Sequence, residues 1–180
     1  IDNGLRKISN LEVVSRTLRS LTICDQPLTT IEVNSFCLPV LQELHIHRNN
    51  LKNVSGLTGC PKVKKLWIFQ NQLESLEGVQ AMLGLEELWA QSNVLKSLDG
   101  IEFCRNMANL GLAGNPISDF SEIRRLKSLS SLKSLSMNDV HFGRCPLTFE
   151  PAYKEFVITA LKQLSLLDDI QITQAAVQSA

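Results

Sequence analysis

The sequence predicts an α/β solenoid. Short parallel strands stack into a concave sheet, short helical or irregular segments form the convex side, and a helical cap closes the C-terminal end. Three observations predict it. A motif, L-x-x-L-x-L-x-x-N-x-L, recurs along the chain. Its asparagines, Asn49, Asn71, Asn93 and Asn115, follow one another at a constant 22 residues. Within each copy apolar residues alternate with polar or aromatic ones, the period of a strand with one face turned inward. One such unit cannot bury its apolar edge alone, so neighbours must stack into a continuous core.

Taken in order, Asn3, Leu5, Ile8 and Leu11 match the second half of a unit whose strand is missing, and residues 1–14 read as a partial repeat. An uncapped solenoid end exposes core, so the chain is expected to be a piece of a longer array. Residues 15–142 carry the repeats. The first copy is Leu18, Leu21, Ile23, Gln26 and Leu28, with glutamine in place of asparagine. Next come Leu41, Leu44, Ile46, Asn49 and Leu51, then Val63, Leu66, Ile68, Asn71 and Leu73. Leu85, Leu88, Ala90, Asn93 and Leu95 precede Met107, Leu110, Leu112, Asn115 and Ile117. A further apolar position recurs at Val54, Leu76, Leu98 and Phe120, and three copies add a glycine-apolar pair: Gly56-Leu57, Gly78-Val79 and Gly100-Ile101. Leu132, Leu135 and Met137 form a last strand after an insertion. The asparagines read as structural: their amides supply a donor and acceptors to backbone groups that a turn leaves unpaired.

Residues 143–172 read as a cap. Pro151 opens a helix where its missing N–H costs little. Tyr153, Val157, Leu161 and Leu164 recur at helical spacing, and Leu167-Asp168 follows. Residues 173–180 read as a frayed tail.

Composition narrows the function. Lysine plus arginine equals aspartate plus glutamate, 18 each, so no global field draws in nucleic acid or an anionic membrane. No apolar run is long enough to span a bilayer, and the N-terminus lacks a signal-peptide layout. An intracellular, soluble protein is expected. The five cysteines fit that expectation, being odd in number and unclustered. Cys37, Cys60 and Cys104 share one phase of the repeat and are expected to face the interior as small hydrophobes.

The 22-residue period with its glycine-apolar element identifies a leucine-rich repeat. It resembles the subfamily typified by the leucine-rich-repeat regulatory subunit of protein phosphatase 1, which includes light chain 1 of axonemal dynein and other ciliary repeat proteins. The run Tyr153, Val157, Leu161, Leu164, Leu167 and Asp168 looks like that subfamily's cap. The resemblance covers Leu18 to about Asp168. The segment SMNDVHFGRCPLTFEPAYKEF departs from the shorter connection of the phosphatase regulator and looks closer to caps of cilium-associated repeat proteins. The resemblance implies a leucine-rich-repeat horseshoe and a non-catalytic scaffold for a protein partner. That partner is an axonemal component such as dynein heavy chain or tubulin, or alternatively a phosphatase catalytic subunit. A third class is the spliceosomal protein-binding repeat module. The implied location is cytoplasmic, with the cilium or flagellum preferred and the nucleus left open.

Function then lies on positions that the repeat leaves free. Three columns face the concave surface: Ser20, Glu43, Lys65, Glu87, Asn109 and Ser134; Thr22, His45, Trp67, Trp89, Gly111 and Ser136; and Cys24, His47, Phe69, Gln91, Ala113 and Asn138. The candidate partner-binding residues are Glu43, His45, His47, Lys65, Trp67, Phe69, Glu87, Trp89 and Gln91. The Glu43, Lys65, Glu87 alternation is either self-compensating surface charge or a rim that orients a partner. The aromatic block His45, His47, Trp67, Phe69 and Trp89 is either a self-stacked shield or a binding hot spot, and the second reading is preferred. Asn109, Gly111 and Ala113 either let a partner approach the backbone beside Trp89 or are featureless. Cys24 with His45 and His47 offers an incomplete metal set with no fourth ligand, and a cysteine–histidine nucleophile lacks an orienting third group. No catalytic residue, metal, cofactor, small-molecule substrate, nucleic acid or membrane is expected.

Overall fold

The structure, a computed structural model, describes residues 4–8, 10–32 and 36–173. Asn3 and almost all of the expected tail lie outside the described residues. Six strands of three residues each form the concave sheet: β1 (Ser20–Thr22), β2 (Glu43–His45), β3 (Lys65–Trp67), β4 (Glu87–Trp89), β5 (Asn109–Gly111) and β6 (Ser134–Ser136). They pair in parallel, in chain order. The register places Leu21, Leu44, Leu66, Leu88, Leu110 and Leu135 side by side, and all but Leu21 are fully buried. The strands are short because each chain segment turns immediately afterwards. Asp25, Arg48, Gln70, Ser92 and Gly114 all adopt positive φ, between 50° and 71°.

The residue after each turn secures it. Asn71 Nδ2 donates to Ile46 O and Ile68 O, both at 3.0 Å, and its Oδ1 accepts from Leu51 N at 3.0 Å. Asn93 and Asn115 repeat this pattern one and two repeats on. Gln26 keeps the acceptor half of the pattern, its Oε1 accepting from Leu5 N at 3.0 Å, while its longer arm turns Nε2 onto Cys24 O and Asp25 O of its own turn. Each amide therefore ties two neighbouring repeats together through backbone groups that would otherwise be buried unpaired.

The convex side carries short 3-10 turns at Ser55–Gly59, Val79–Ala81 and Ile101–Phe103. The glycine-apolar pairs belong here. A Cβ on Gly56 or Gly78 would collide with the carbonyl of Ile31 or Val54 in the preceding repeat, so glycine sets how closely the turns stack. The longer repeat before β6 spends its extra residues on a helix, α1 (Phe120–Arg125), whose N-terminus is capped by Asp119 accepting from Ser121 N at 2.7 Å.

Cys37 is a correction. Cys60 and Cys104 are buried as expected, but Cys37 is exposed, with Phe36 and Leu38 buried beside it. Leu41 N bonds Leu38 O just as Val63 N bonds Cys60 O, so Leu38 is the true counterpart of Cys60. The first repeat is one residue longer than the three that follow it, and that residue moves Cys37 out of phase.

After β6 the chain forms a hairpin of β7 (Asn138–Asp139) and β8 (Gly143–Arg144), then the helix α2 (Tyr153–Ala160). β9 (Leu166–Leu167) extends the sheet in parallel beside β6, and β10 (Ile170–Gln171) folds back antiparallel. Asp168 ends the asparagine ladder. Its Oδ1 accepts from Met137 N (2.7 Å) and Asn138 N (2.9 Å), and its Oδ2 accepts from the Tyr153 hydroxyl (3.0 Å). Burial first, then the Asp168 carboxylate, push the Tyr153 phenol far above its ordinary value.

Candidate functional site

Parallel register brings the aromatic residues of β2, β3 and β4 together because same-column side chains lie one strand apart. His45 pairs with Trp67 and Trp67 with Trp89. The His45 and Trp67 rings stack at 4.1 Å, and those of His47 and Phe69 at 4.2 Å. Part of the block is therefore self-stacked, as one of the two readings required. Trp89 takes no part in that stack. It leans the other way, over Gly111.

That lean removes, at Gly111, the close approach to the backbone that one of the two readings of Asn109, Gly111 and Ala113 offered. The space above Gly111 is filled by the Trp89 ring and the Gln91 amide, and a Cβ there would collide with both. Gln91 needs a correction. Expected to face solvent, it is buried at 5% exposure, and Ala113 is wholly buried. The hairpin tip seals this edge. The Phe142 carbonyl sits over Gly114 and accepts from Ser92 Oγ at 3.3 Å. Asp139 shapes the tip, its Oδ1 accepting from His141 N (2.7 Å) and Phe142 N (3.1 Å).

Because Trp67 and Trp89 lean apart, a cleft of ≈ 400 Å³ opens between them. It is lined by Trp67, Phe69, Glu87, Trp89, Gln91 and Phe142. Phe142, which packs 5.4 Å from Phe69, is the residue that sequence reasoning missed. Its signal was the inserted hairpin combined with Gly114, a glycine where the earlier repeats carry Asp25, Arg48, Gln70 and Ser92.

The charged row runs along the edge of the cleft. Lys65 Nζ lies 3.7 Å from Glu43 and 4.0 Å from Glu87. The nine candidate residues thus fall into a stacked block (His45, His47, Trp67, Phe69), a charged row (Glu43, Lys65, Glu87) and the far wall (Trp89, Gln91). Burial lowers the basicity of both imidazoles. For His45, Lys65 adds to the lowering and Glu43 opposes it; for His47, neighbouring His45 adds to it. Burial thus favours the neutral form of both rings. Among the described residues, buried His45 Nε2, Asn49 Oδ1, Trp67 Nε1 and Gln91 Oε1 have no hydrogen-bond partner.

Cys24 Sγ lies 3.7 Å from His47 Nδ1. Burial raises the thiol and lowers the imidazole, which favours the neutral pair over the thiolate–imidazolium that nucleophilic chemistry uses. No group of three or more potential metal-ligating side chains converges among the described residues. The rings of His45 and His47 are engaged in stacking instead. Among the described residues no helix is long and apolar enough to cross a membrane. What the site offers chemically is a set of π-faces with an acidic rim.

Residues 16–73 match the family described as "Leucine rich repeat". Among solved structures, the chain is similar to an internalin, InlF, from Listeria monocytogenes str. 4b F2365, with a TM-score of 0.68 and 21% identity. The match covers 89% of this chain and 44% of the internalin, so the chain spans less than half of that protein. Leucine-rich-repeat proteins generally bind protein partners and are generally not enzymes. In fold, the chain is a leucine-rich-repeat horseshoe.

Proposed function

We propose that the chain is a non-catalytic interaction module that binds a protein partner on its concave face, at the cleft between Trp67 and Trp89. The observation that carries this reading is the cleft itself. Four aromatic side chains remain partly exposed around a cavity, on a surface otherwise covered by small or polar residues. Tryptophan leads the residues that anchor interfaces, and contiguous aromatic surface is rare on a protein that binds nothing. Following the resemblance of the cap insertion, the partner is an axonemal component and the setting the cytoplasm or cilium.

The test is a paired pull-down from source-cell lysate with the chain and its Trp67→Ala/Trp89→Ala variant, read by quantitative mass spectrometry after circular dichroism has shown both to be folded. Hot-spot truncations cost about 2 kcal/mol or more, so the true partner should be depleted at least about tenfold from the variant. A dynein chain or tubulin in the depleted set supports the ciliary role. A phosphatase catalytic subunit or a spliceosomal protein there replaces it with a regulatory or splicing role. Equal recovery by both baits removes the cleft as the binding site.

A further inference from the structure

The cleft is apolar on its walls and acidic at its edge, and together these features select a ligand class. Trp67, Phe69, Trp89 and Phe142 present electron-rich ring faces. Glu87 lines the cleft and shares one ammonium, Lys65, with Glu43, so two carboxylates face one cation and the row is net negative. Lys65 stands nearer to Glu43. The two histidines are stacked on Trp67 and Phe69, and burial favours their uncharged form. Gln91 lines the same cleft, is 5% exposed, and has an Oε1 with no partner among the described residues. The walls of the cleft present π-faces and its edge a carboxylate, with the Trp67 indole N–H the one buried unpartnered donor among the described lining residues, and the ligand complementary to faces and carboxylate together is a cation carrying N–H donors.

Three protein-borne cations are available. A lysine ammonium is compact and strongly hydrated, so aromatic walls desolvate it at high cost. A trimethylated lysine suits the walls but has no N–H for Glu87 or Gln91. A guanidinium is planar, weakly hydrated, stacks on aromatic faces and carries five donors in a fork that matches a carboxylate. We propose that the cleft receives an arginine side chain of the protein partner, stacked against the aromatic walls and hydrogen-bonded to Glu87. This inference rests on the concave face being the partner-binding surface.

The chain has two tryptophans, so its indole N–H signals in a 15N-edited proton NMR spectrum report Trp67 and Trp89 one by one. The probes are capped tripeptides Gly-X-Gly with X arginine, citrulline, norleucine, lysine or trimethyllysine. The arginine peptide should move both signals saturably, in the millimolar range expected of one side chain. Citrulline, its neutral near-isostere, should bind about tenfold more weakly, and Glu87→Gln should abolish that preference. Glu87 is on the surface row, so this variant tests charge without touching the core.

Equal binding of arginine, citrulline and norleucine would show an apolar cleft and overturn the assignment. Tighter binding of trimethyllysine or lysine would overturn it in favour of another cation. Silence from every peptide would also sink it, yet leave the partner-binding reading standing wherever the pull-down loses its partner with the tryptophans. If both experiments fail, the site itself is wrong.

Discussion

His45 and His47 are held neutral because their rings lie in an aromatic stack that solvates a proton poorly. The consequence for stability has a definite sign. Above the ordinary imidazole value of 6.5 both folded and unfolded chains carry neutral rings, and the pair contributes no pH dependence. As pH falls through 6.5, the unfolded chain takes up protons that the folded chain still resists, so acid favours unfolding. Urea midpoints should therefore drop between about pH 7 and pH 5, and the drop should shrink in a His45→Gln/His47→Gln variant. An identical acid profile for the two proteins would place both histidines outside the stack in solution. Gly114 makes a second case at this scale. Its φ of 71° and the Phe142 carbonyl above it both exclude a side chain. Gly114→Ala should cost about 1–3 kcal/mol and displace the hairpin, seen as a changed Trp89 environment in fluorescence.

At the scale of elements, the hairpin of β7 and β8 decides what the cleft looks like. Without Phe142 the space between Trp67 and Trp89 is an open trough; with it, the trough has an end wall. Phe142→Ala should therefore leave the repeats folded, since the residue lies outside the buried core, while enlarging the cleft and weakening ligand binding there. A destabilisation of more than about 2 kcal/mol by urea titration would instead assign Phe142 a structural role. This element also marks where the sequence stops being readable. The strands, the asparagine ladder and the Leu44–Leu135 core row follow from local spacing, because each repeat contacts only its neighbours. Phe142 meets Phe69 across several repeats, and no local period encodes that contact. Gln91 and Gly111 fail for the same reason: their columns were placed correctly, but what lies over them comes from Trp89 and from the tip. Cys37 fails differently, through a single residue inserted into the first repeat. Spacing tells which side chains face outward; it does not tell what later folds over them.

For the whole molecule, stability is a sum of repeats and of the junctions between them, and the C-terminal junction converges on Asp168. One carboxylate there serves three donors: Met137 N, Asn138 N and the Tyr153 hydroxyl. It takes the part that Asn71, Asn93 and Asn115 take inside the array, and it adds the tie to α2. Asp168→Ala leaves two part-buried amides and a buried phenol without that partner, at about 1–3 kcal/mol for each group that water cannot reach. The loss should be unevenly distributed. β6 and β9 lean directly on this junction, whereas β2, β3 and β4 are followed by Asn49, Asn71 and Asn93, which hold the carbonyls of Ile46, Ile68 and Ala90. Hydrogen exchange should show protection falling in β6, β9 and α2 first, with the amides of Ile46 and Ile68, which bond Trp67 O and Trp89 O, keeping theirs. The cleft sits on those protected strands, so peptide binding at Trp67 and Trp89 should survive loosening of the cap apart from the share that Phe142 supplies. A uniform fall of protection along the chain would mean instead that the array unfolds as one unit. The cap would then govern the binding surface as directly as the strands that carry it.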